Sequence, residues 1–335
     1  MSSHDCTQRI EKRVEKDFYD FFTGKYVDML PYIYAEPSDA YKRIVNNCKD
    51  YYIFGDEVDN IEQNKDKLTK YLENVEDIIE IGPGFDLVMS KKTLPVISYA
   101  KELKRYFAVD SSASYLKEAC QFLKNKTSNI EIHAIEADLM SDKAIRLNQL
   151  EKPNGFETKK RCLLLFGGFL GNLTDDQRSH ALKKLHDMID VDDLAILTAD
   201  TNLNEESVLK AYTGEEFSDF GRCALLHFAK INPDFHQHVM SFDLKYKWNE
   251  QEKCLQRYYV ANRFITFKYG KFGDVKIEKG KELSGYKTRK EATKDVVDLL
   301  EKYFNVVDIL SVSDRMKTFE KWRNKRLTNL VQKGI

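Results

Sequence analysis

The chain has 335 residues, 42% of them hydrophobic, which allows one large domain or two ordinary ones with a packed core and argues against wholesale disorder. Charged residues make up 32%, yet the net charge is only -1, so the basic excess of a phosphate-backbone binder is missing and no nucleic acid is expected as a partner. No apolar run is long enough to span a membrane, Met1-Ser2-Ser3-His4-Asp5 opens no signal-peptide core, and six scattered cysteines without a Cys-x-x-Cys suit free thiols, so a cytoplasmic protein is expected.

Residues 1 to 75 read as mainly helical. Apolar spacing near the helical period covers 10–22, and 61–72 resembles a short polar helix. Between them Tyr26, Tyr32, Tyr34, Tyr41, Tyr51, Tyr52 and Phe54 form an aromatic-rich stretch suited to packing. From Asp77 the pattern changes. Asp77-Ile78-Ile79-Glu80-Ile81 is a short apolar run ending in Gly82-Pro83-Gly84, which predicts a buried strand and its loop. A helix near 88–103 follows, then strand 106–110, a helix around 114–124, strands 130–135 and 161–166, helix 175–188 and strand 194–198. Short apolar strands alternating with helices predict a parallel sheet covered on both faces, with ligands at the carboxyl ends of its strands.

After Tyr212 the alternation stops. Residues 240–277 turn to period-two patterning with a turn near Asn249-Glu250, which predicts an antiparallel meander. Helix returns at 290–303 and a further strand at 305–310, so the meander is an insertion into the α/β domain or a second domain placed before its last strands. For 316–331 strand and helix both stay open, and the basic residues from Arg315 to Arg326 read as a solvated face.

Four loops carry the chemistry. Gly82 and Gly84 let backbone approach a ligand closely, and Glu80 at the strand end is placed to anchor an amino-acid moiety. Asp110, followed by Ser111, ends the next strand roughly 20 to 30 residues later, where an acid accepts hydrogen bonds from ribose hydroxyls. A nicotinamide enzyme fits that spacing too, but Phe85-Asp86-Leu87 supplies no third glycine. Ala137-Asp138-Leu139 follows the third strand, with an acid for an adenine amino group and an apolar cover for its ring; Asp138 also suits a helix N-cap. Phe166-Gly167-Gly168-Phe169-Leu170-Gly171-Asn172 follows the fourth strand, where glycines let the chain wrap a cofactor. His236-x-His238 would put two imidazoles on one strand face, but no third ligand accompanies them and no metal is expected.

On these residues the chain resembles the histidine-specific methyltransferase family, whose known member makes Nα-trimethylhistidine. Phe166-Gly167-Gly168-Phe169-Leu170-Gly171-Asn172 is similar to its Gly-Ser-x-Ile-Gly-Asn loop, and Thr198-Ala199-Asp200 with 205–212 to its Gly-x-Asp…Ala-Tyr segment. Cys48-Lys49-Asp50-Tyr51-Tyr52 with Glu57 resembles its Tyr-Tyr-x-Thr-Arg-x-Glu. Lys281-Glu282-Leu283-Ser284-Gly285-Tyr286-Lys287 resembles its Thr-Glu-x-Ser-x-Lys-Tyr, whose Glu and Ser hold the substrate imidazole. Two segments depart from the pattern. Ile53-Phe54-Gly55-Asp56 replaces the Thr-Arg, and Gly221-Arg222-Cys223-Ala224-Leu225-Leu226 is the nearest stretch to the Phe-Asn-x-Asn-Leu that grips the substrate amino acid.

The resemblance implies S-adenosyl-L-methionine as cofactor and an α/β fold: a class I, Rossmann-like, seven-strand-type methyltransferase sheet with a second α+β substrate-recognition domain. The expected domains are 56–212 with 286–335 for the cofactor, and 1–55 with 213–285 for the substrate. Expected cofactor residues are Glu80, Gly82, Gly84, Lys92, Asp110, Ser111, Asp138, Leu139, Phe166 and Gly167; Lys92 with Thr93 is similar to the family's Lys-Thr pair on the cofactor carboxylate. Tyr52, Glu282 and Ser284 are the expected substrate residues, with Tyr52 also relaying a proton. The expected reaction is N-methylation of a small amine, an amino acid such as histidine or a related metabolite. A protein or peptide methyltransferase and a non-catalytic cofactor-binding scaffold are the alternatives.

Overall fold

The computed structural model describes residues 14–34, 39–141, 160–313 and 315–323. Its strands, in chain order, are β1 (Val75–Ile81), β2 (Arg105–Asp110), β3 (Glu131–Glu136), β4 (Lys160–Leu165), β5 (Leu194–Asp200), β6 (Phe242–Asn249), β7 (Cys254–Ala261), β8 (Ile265–Lys268), β9 (Asp274–Ile277), β10 (Glu282–Arg289), β11 (Phe304–Leu310) and β12 (Met316–Arg323). The chain divides into two compact units, one from Met1–Tyr51 and Asn204–Arg289, the other from Tyr52–Leu203 and Lys290–Ile335.

The second of these holds a seven-stranded sheet in the order β11-β12-β5-β4-β1-β2-β3. Strands β1 to β5 are parallel, and β12 runs antiparallel between β5 and β11. The parallel part is what the alternating strands and helices predict, and the seven-strand form is what the resemblance implies. Apolar residues on both sides of each central strand make it so. Ile78, Tyr106, Cys162, Leu164 and Ile196 pack on one face with Leu68, Leu72, Val96, Leu116 and Leu123 from helices Lys65–Leu72, Leu94–Tyr99 and Ala113–Lys126. Ile79, Phe107, Leu163, Leu165 and Leu197 pack on the other with Leu182 and Leu185 from Asp175–Asp187 and Val296 and Leu300 from Thr293–Leu300. Ser112 caps one helix and a Thr174–Gln177 capping box starts another, which sets where each leaves its loop. The strand order reverses between β1 and β4, the place where open α/β sheets bind ligands.

The other unit has a three-stranded antiparallel sheet, β10-β7-β6, and a separate β8–β9 pair. Its core is aromatic: Phe18, Phe22, Phe228, Phe235 and Phe267 meet with ring centroids 4.6–5.9 Å apart. The long helix Glu215–Ile231 lies in a segment given no element above. Phe217, Phe220, Ala224 and Phe228 recur at helical spacing and are buried, so the period was present there. The predicted meander is thus two sheets, and His236 and His238 sit on a 3-10 helix, Pro233–Ser241, rather than on a strand. A 3-10 spacing of two residues does not put side chains on one face, which removes the geometry proposed for a metal pair.

Smaller differences have local causes. The single helix expected over 88–103 begins at Asp86, contains a π turn at Met89–Thr93 and ends at Tyr99. The undecided segment after residue 315 is strand as far as Arg323, completed by pairing with β5 and β11; residues 324–331, like residues 10–13 of the first predicted helix, lie outside the described residues. Among the described residues no helix is long and apolar enough to cross a membrane, and no group of three or more His, Cys, Asp or Glu could hold a metal ion.

Candidate functional site

The carboxyl ends of β1, β2 and β3 are laced together. Gly82 N donates to Val109 O (2.8 Å), and Ala137 N donates to Asp110 O (2.9 Å). The glycine loop, Asp110 and Ala137-Asp138 therefore stand side by side, as parallel register requires when Ile81 pairs Val109 and Asp110 pairs Glu136. On the other side of β1, Ile81 pairs Leu165, so the Phe166-Gly167 loop leaves next to Gly82 and flanks the point of reversal. Gly82 and Gly167 have φ of 68° and 83°, and a Cβ on either would meet nothing within 4 Å. Both loops therefore need glycine for their backbone and leave open space above it, a cradle that a close-approaching ligand fits. Gly84, at φ 78°, differs: a Cβ there would rest 3.4 Å from Val88.

Each acid at this end is set by backbone. Asp110 Oδ1 accepts from Ser112 N (2.8 Å); burial pushes its carboxyl up, while the Ser112 and Ser111 amides pull it back. Asp138 is exposed, with Oδ1 accepting from Met140 N (2.8 Å), and Leu139 beside it is buried. Ser111 is exposed.

Glu80 is buried, and both oxygens already accept, Oε1 from Thr93 Oγ1 (3.0 Å) and Oε2 from Tyr106 Oη (2.5 Å). Burial holds its carboxyl above the usual range despite those bonds. It ties β1 to β2 and to the π turn Met89–Thr93. That turn carries Lys92 and Thr93 inside, consistent with the frequent use of π turns at functional places. Lys92 Nζ lies 2.9 Å from Glu57 Oε2 and stands over the rings of Phe54 (5.7 Å) and Phe166 (5.5 Å). Glu57 Oε1 accepts from Gly167 N (2.5 Å) and from the Thr198 hydroxyl. The sequence offered Glu57 only as the end of a loose motif.

Tyr52 opens the helix Tyr52–Gln63 and is buried. Its hydroxyl donates to Asp200 Oδ2 (2.8 Å), the oxygen that also meets Lys290 Nζ at 2.6 Å, while Asp200 Oδ1 accepts from Asn202 N (3.1 Å). Lys290 is 0% exposed and Asp200 6%. The Arg315 guanidinium stands 4.9 Å over the Tyr52 ring and pairs with Asp56 at 2.5 Å. Burial first, then the Asp200 charge, pushes the Tyr52 phenol far above its ordinary value. No pattern in the sequence separates Lys290 from an ordinary surface lysine; only its burial does.

Glu282 and Ser284 belong to the other unit, on β10. Glu282 is exposed and pairs with Lys247 at 2.6 Å, and Ser284 stands opposite Tyr258 on β7. A β-bulge between Ser284 and Tyr286 turns the following residue inward, where Tyr286 faces Arg257. Arg257 is 1% exposed among the rings of Phe220, Tyr246 and Tyr286 (5.0–5.7 Å) and donates from Nε to Tyr246 Oη at 3.0 Å. A Cβ on Gly221 would overlap Leu244 Cδ2 and stand 3.1 Å from Arg257 Nη1, so a side chain at this place in the divergent segment would force both neighbours to shift.

The family described as histidine-specific methyltransferase, SAM-dependent, matches residues 16–317. The Histidine N-alpha-methyltransferase of Mycobacterium tuberculosis (strain CDC 1551 / Oshkosh) is 25% identical over 195 residues, 55% of this chain and 55% of that protein, so the chain spans about half the length of the curated relative it matches. Among solved structures, a protein of Pyrococcus horikoshii OT3 is 13% identical, covering 85% of this chain and 98% of that one, with a TM-score of 0.45. A S-adenosylmethionine-dependent methyltransferase from Clostridium acetobutylicum ATCC 824 is 11% identical, covering 85% and 96%, with a TM-score of 0.42. With residues 16–317 matched, the chain belongs to the histidine-specific, S-adenosylmethionine-dependent methyltransferase family.

Proposed function

We propose that the chain is an S-adenosylmethionine-dependent N-methyltransferase for a small amine, an amino acid such as histidine or a related metabolite. The observation that carries this reading is the lacing of Gly82, Asp110 and Ala137-Asp138 at adjacent strand ends, beside the open backbone of Gly167. In this reading Asp110, with Ser111, receives the ribose hydroxyls, Asp138 and Leu139 hold the base, and Gly82, Gly84, Phe166 and Gly167 line the approach. Lys92 faces the carboxylate end, and Glu80 acts by fixing β1 against β2 and the π turn. When bound, the cofactor supplies a methyl group on a positively charged sulfur, for an in-line displacement in which alignment provides much of the acceleration.

The amine must present a lone pair. Tyr52 uses its hydrogen on Asp200 and stays a neutral phenol, and with the Asn202 side chain bonded to its oxygen one lone pair is left to accept an amine N–H. Its proposed part is thus to orient the nucleophile, and the proton it releases passes through water to solvent. Glu282 and Ser284 remain the proposed contacts for the substrate side chain, and the unit that carries them the proposed substrate-recognition domain. Loss of the asparagine segment at Gly221 motivates one rival, methylation of a peptide or protein amine.

Incubating the pure chain with methyl-labelled S-adenosylmethionine and a panel of free amino acids and peptides tests the proposal. Label on a free amino acid is the expected result. Transfer only to peptides favours the rival, and no transfer to any amine despite cofactor binding leaves a non-catalytic scaffold.

A further inference from the structure

We propose that Glu57 is a positioning residue that holds the Gly167 loop and Lys92 in register with the cofactor seat; this rests on the cofactor reading above. Glu57 is 1% exposed, and each of its oxygens has a separate task. Oε1 accepts from Gly167 N at 2.5 Å and from the Thr198 hydroxyl, and Oε2 meets Lys92 Nζ at 2.9 Å. Thr198, on β5, gives its one hydroxyl hydrogen to Glu57 Oε1 and sits 3.3 Å from Gly167 O, so β5 also stands against the backbone of Gly167. Lys92 in turn stands over Phe166, the residue before the loop. One carboxylate therefore joins the first helix of this unit, the π turn, β5 and the loop after β4.

The residue type matters. A buried ion pair adds little to stability once desolvation is counted, so its geometric consequence is the better reason for its presence. Only a carboxylate accepts on both oxygens at once. Glutamine has one acceptor oxygen and must turn its NH2 either on Lys92 or on the Gly167 amide, setting donor against donor. Gly167 has φ 83° and no side chain to wedge it, so its place depends on what grips its backbone. A loop held in one place does not have to be ordered when a ligand arrives, which raises affinity.

The experiment uses the full chain as wild type, Glu57→Gln and Thr198→Val. Amide hydrogen exchange over residues 166–172 is measured beside calorimetric binding of S-adenosylhomocysteine. Glu57→Gln is expected to speed exchange in 166–172 selectively, with β2 unchanged, and to weaken binding at least about tenfold. Thr198→Val keeps the carboxylate and the Lys92 pair, and is expected to shift both readings the same way by less. It carries the test alone if Glu57→Gln does not fold. Unchanged loop exchange, or a loosened loop with wild-type affinity, overturns the proposal, as does a uniform rise in exchange that marks general destabilisation. A wild-type chain that binds no S-adenosylhomocysteine ends the cofactor reading instead, and loop exchange then decides by itself whether Glu57 holds the loop.

Discussion

Lys290 and Asp200 offer the sharpest quantitative test of the interior. The two charges are 2.6 Å apart with side chains 1% and 2% exposed. At an effective dielectric of about 20 their attraction is about 6 kcal/mol, most of it cancelled by the desolvation of both groups. Removing one partner leaves that desolvation uncompensated. Lys290→Met takes the countercharge from a buried carboxylate that still accepts from the Tyr52 hydroxyl and the Asn202 amide, and Asp200→Asn takes the countercharge from a buried ammonium. Each single change is expected to lower the unfolding free energy by about 3–5 kcal/mol. The double change removes both charges together and is expected to cost at least about 2 kcal/mol less than the sum of the singles. Urea unfolding followed by circular dichroism measures the cycle, with amide exchange in β5 assigning the transition to the seven-stranded unit. Additivity within about 0.5 kcal/mol would show that the charges do not depend on each other, and the account of this cluster would fail.

Further expectations concern the cradle and the aromatic unit. Gly82→Ala should cost about 1 kcal/mol of stability for its positive φ, while its methyl enters the open space and weakens S-adenosylhomocysteine binding by more than about tenfold; calorimetry that finds normal affinity would remove the loop from the site. Asp110→Asn keeps an oxygen for Ser112 N but loses a charge for sugar hydroxyls, so affinity should fall about 10- to 100-fold with little change in thermal midpoint. Burial pushes the Asp28 carboxyl up to about 6, from 3.8. A group raised on folding contributes stability that is present below its unfolded value and lost as pH rises through the folded one. Unfolding free energy should therefore drop between about pH 4 and 6, by up to about 3 kcal/mol, and Asp28→Asn should flatten that slope in denaturant titrations.

Much of this fold is written locally. The apolar runs of β1, β2, β4 and β5 are too short for helices and too continuous for a one-sided sheet, so a parallel sheet buried on both faces follows from them. Glycine at 82, 84 and 167 marks bends because only glycine adopts positive φ cheaply, and the acids at 110 and 138 stand at strand ends because the runs before them stop there. The helix Glu215–Ile231 had its period too, but broken by Gly221, the residue that packing against Leu244 and Arg257 selects.

What the chain alone determined was the run of strands, helices and bends from β1 to β5, since those depend on neighbours a few residues away, whereas β12 became strand only by pairing with β5 and β11. What only tertiary structure decided was which polar side chains are taken inside: Glu57 reaches Gly167 and Thr198 across 110 and 141 positions of sequence, and Tyr52 reaches Asp200 across 148. Glutamate, lysine and aspartate look alike in sequence whether solvated or buried. The distinction arises when the sheet brings distant strand ends together and water leaves, because a charge kept there must find its partner in the protein.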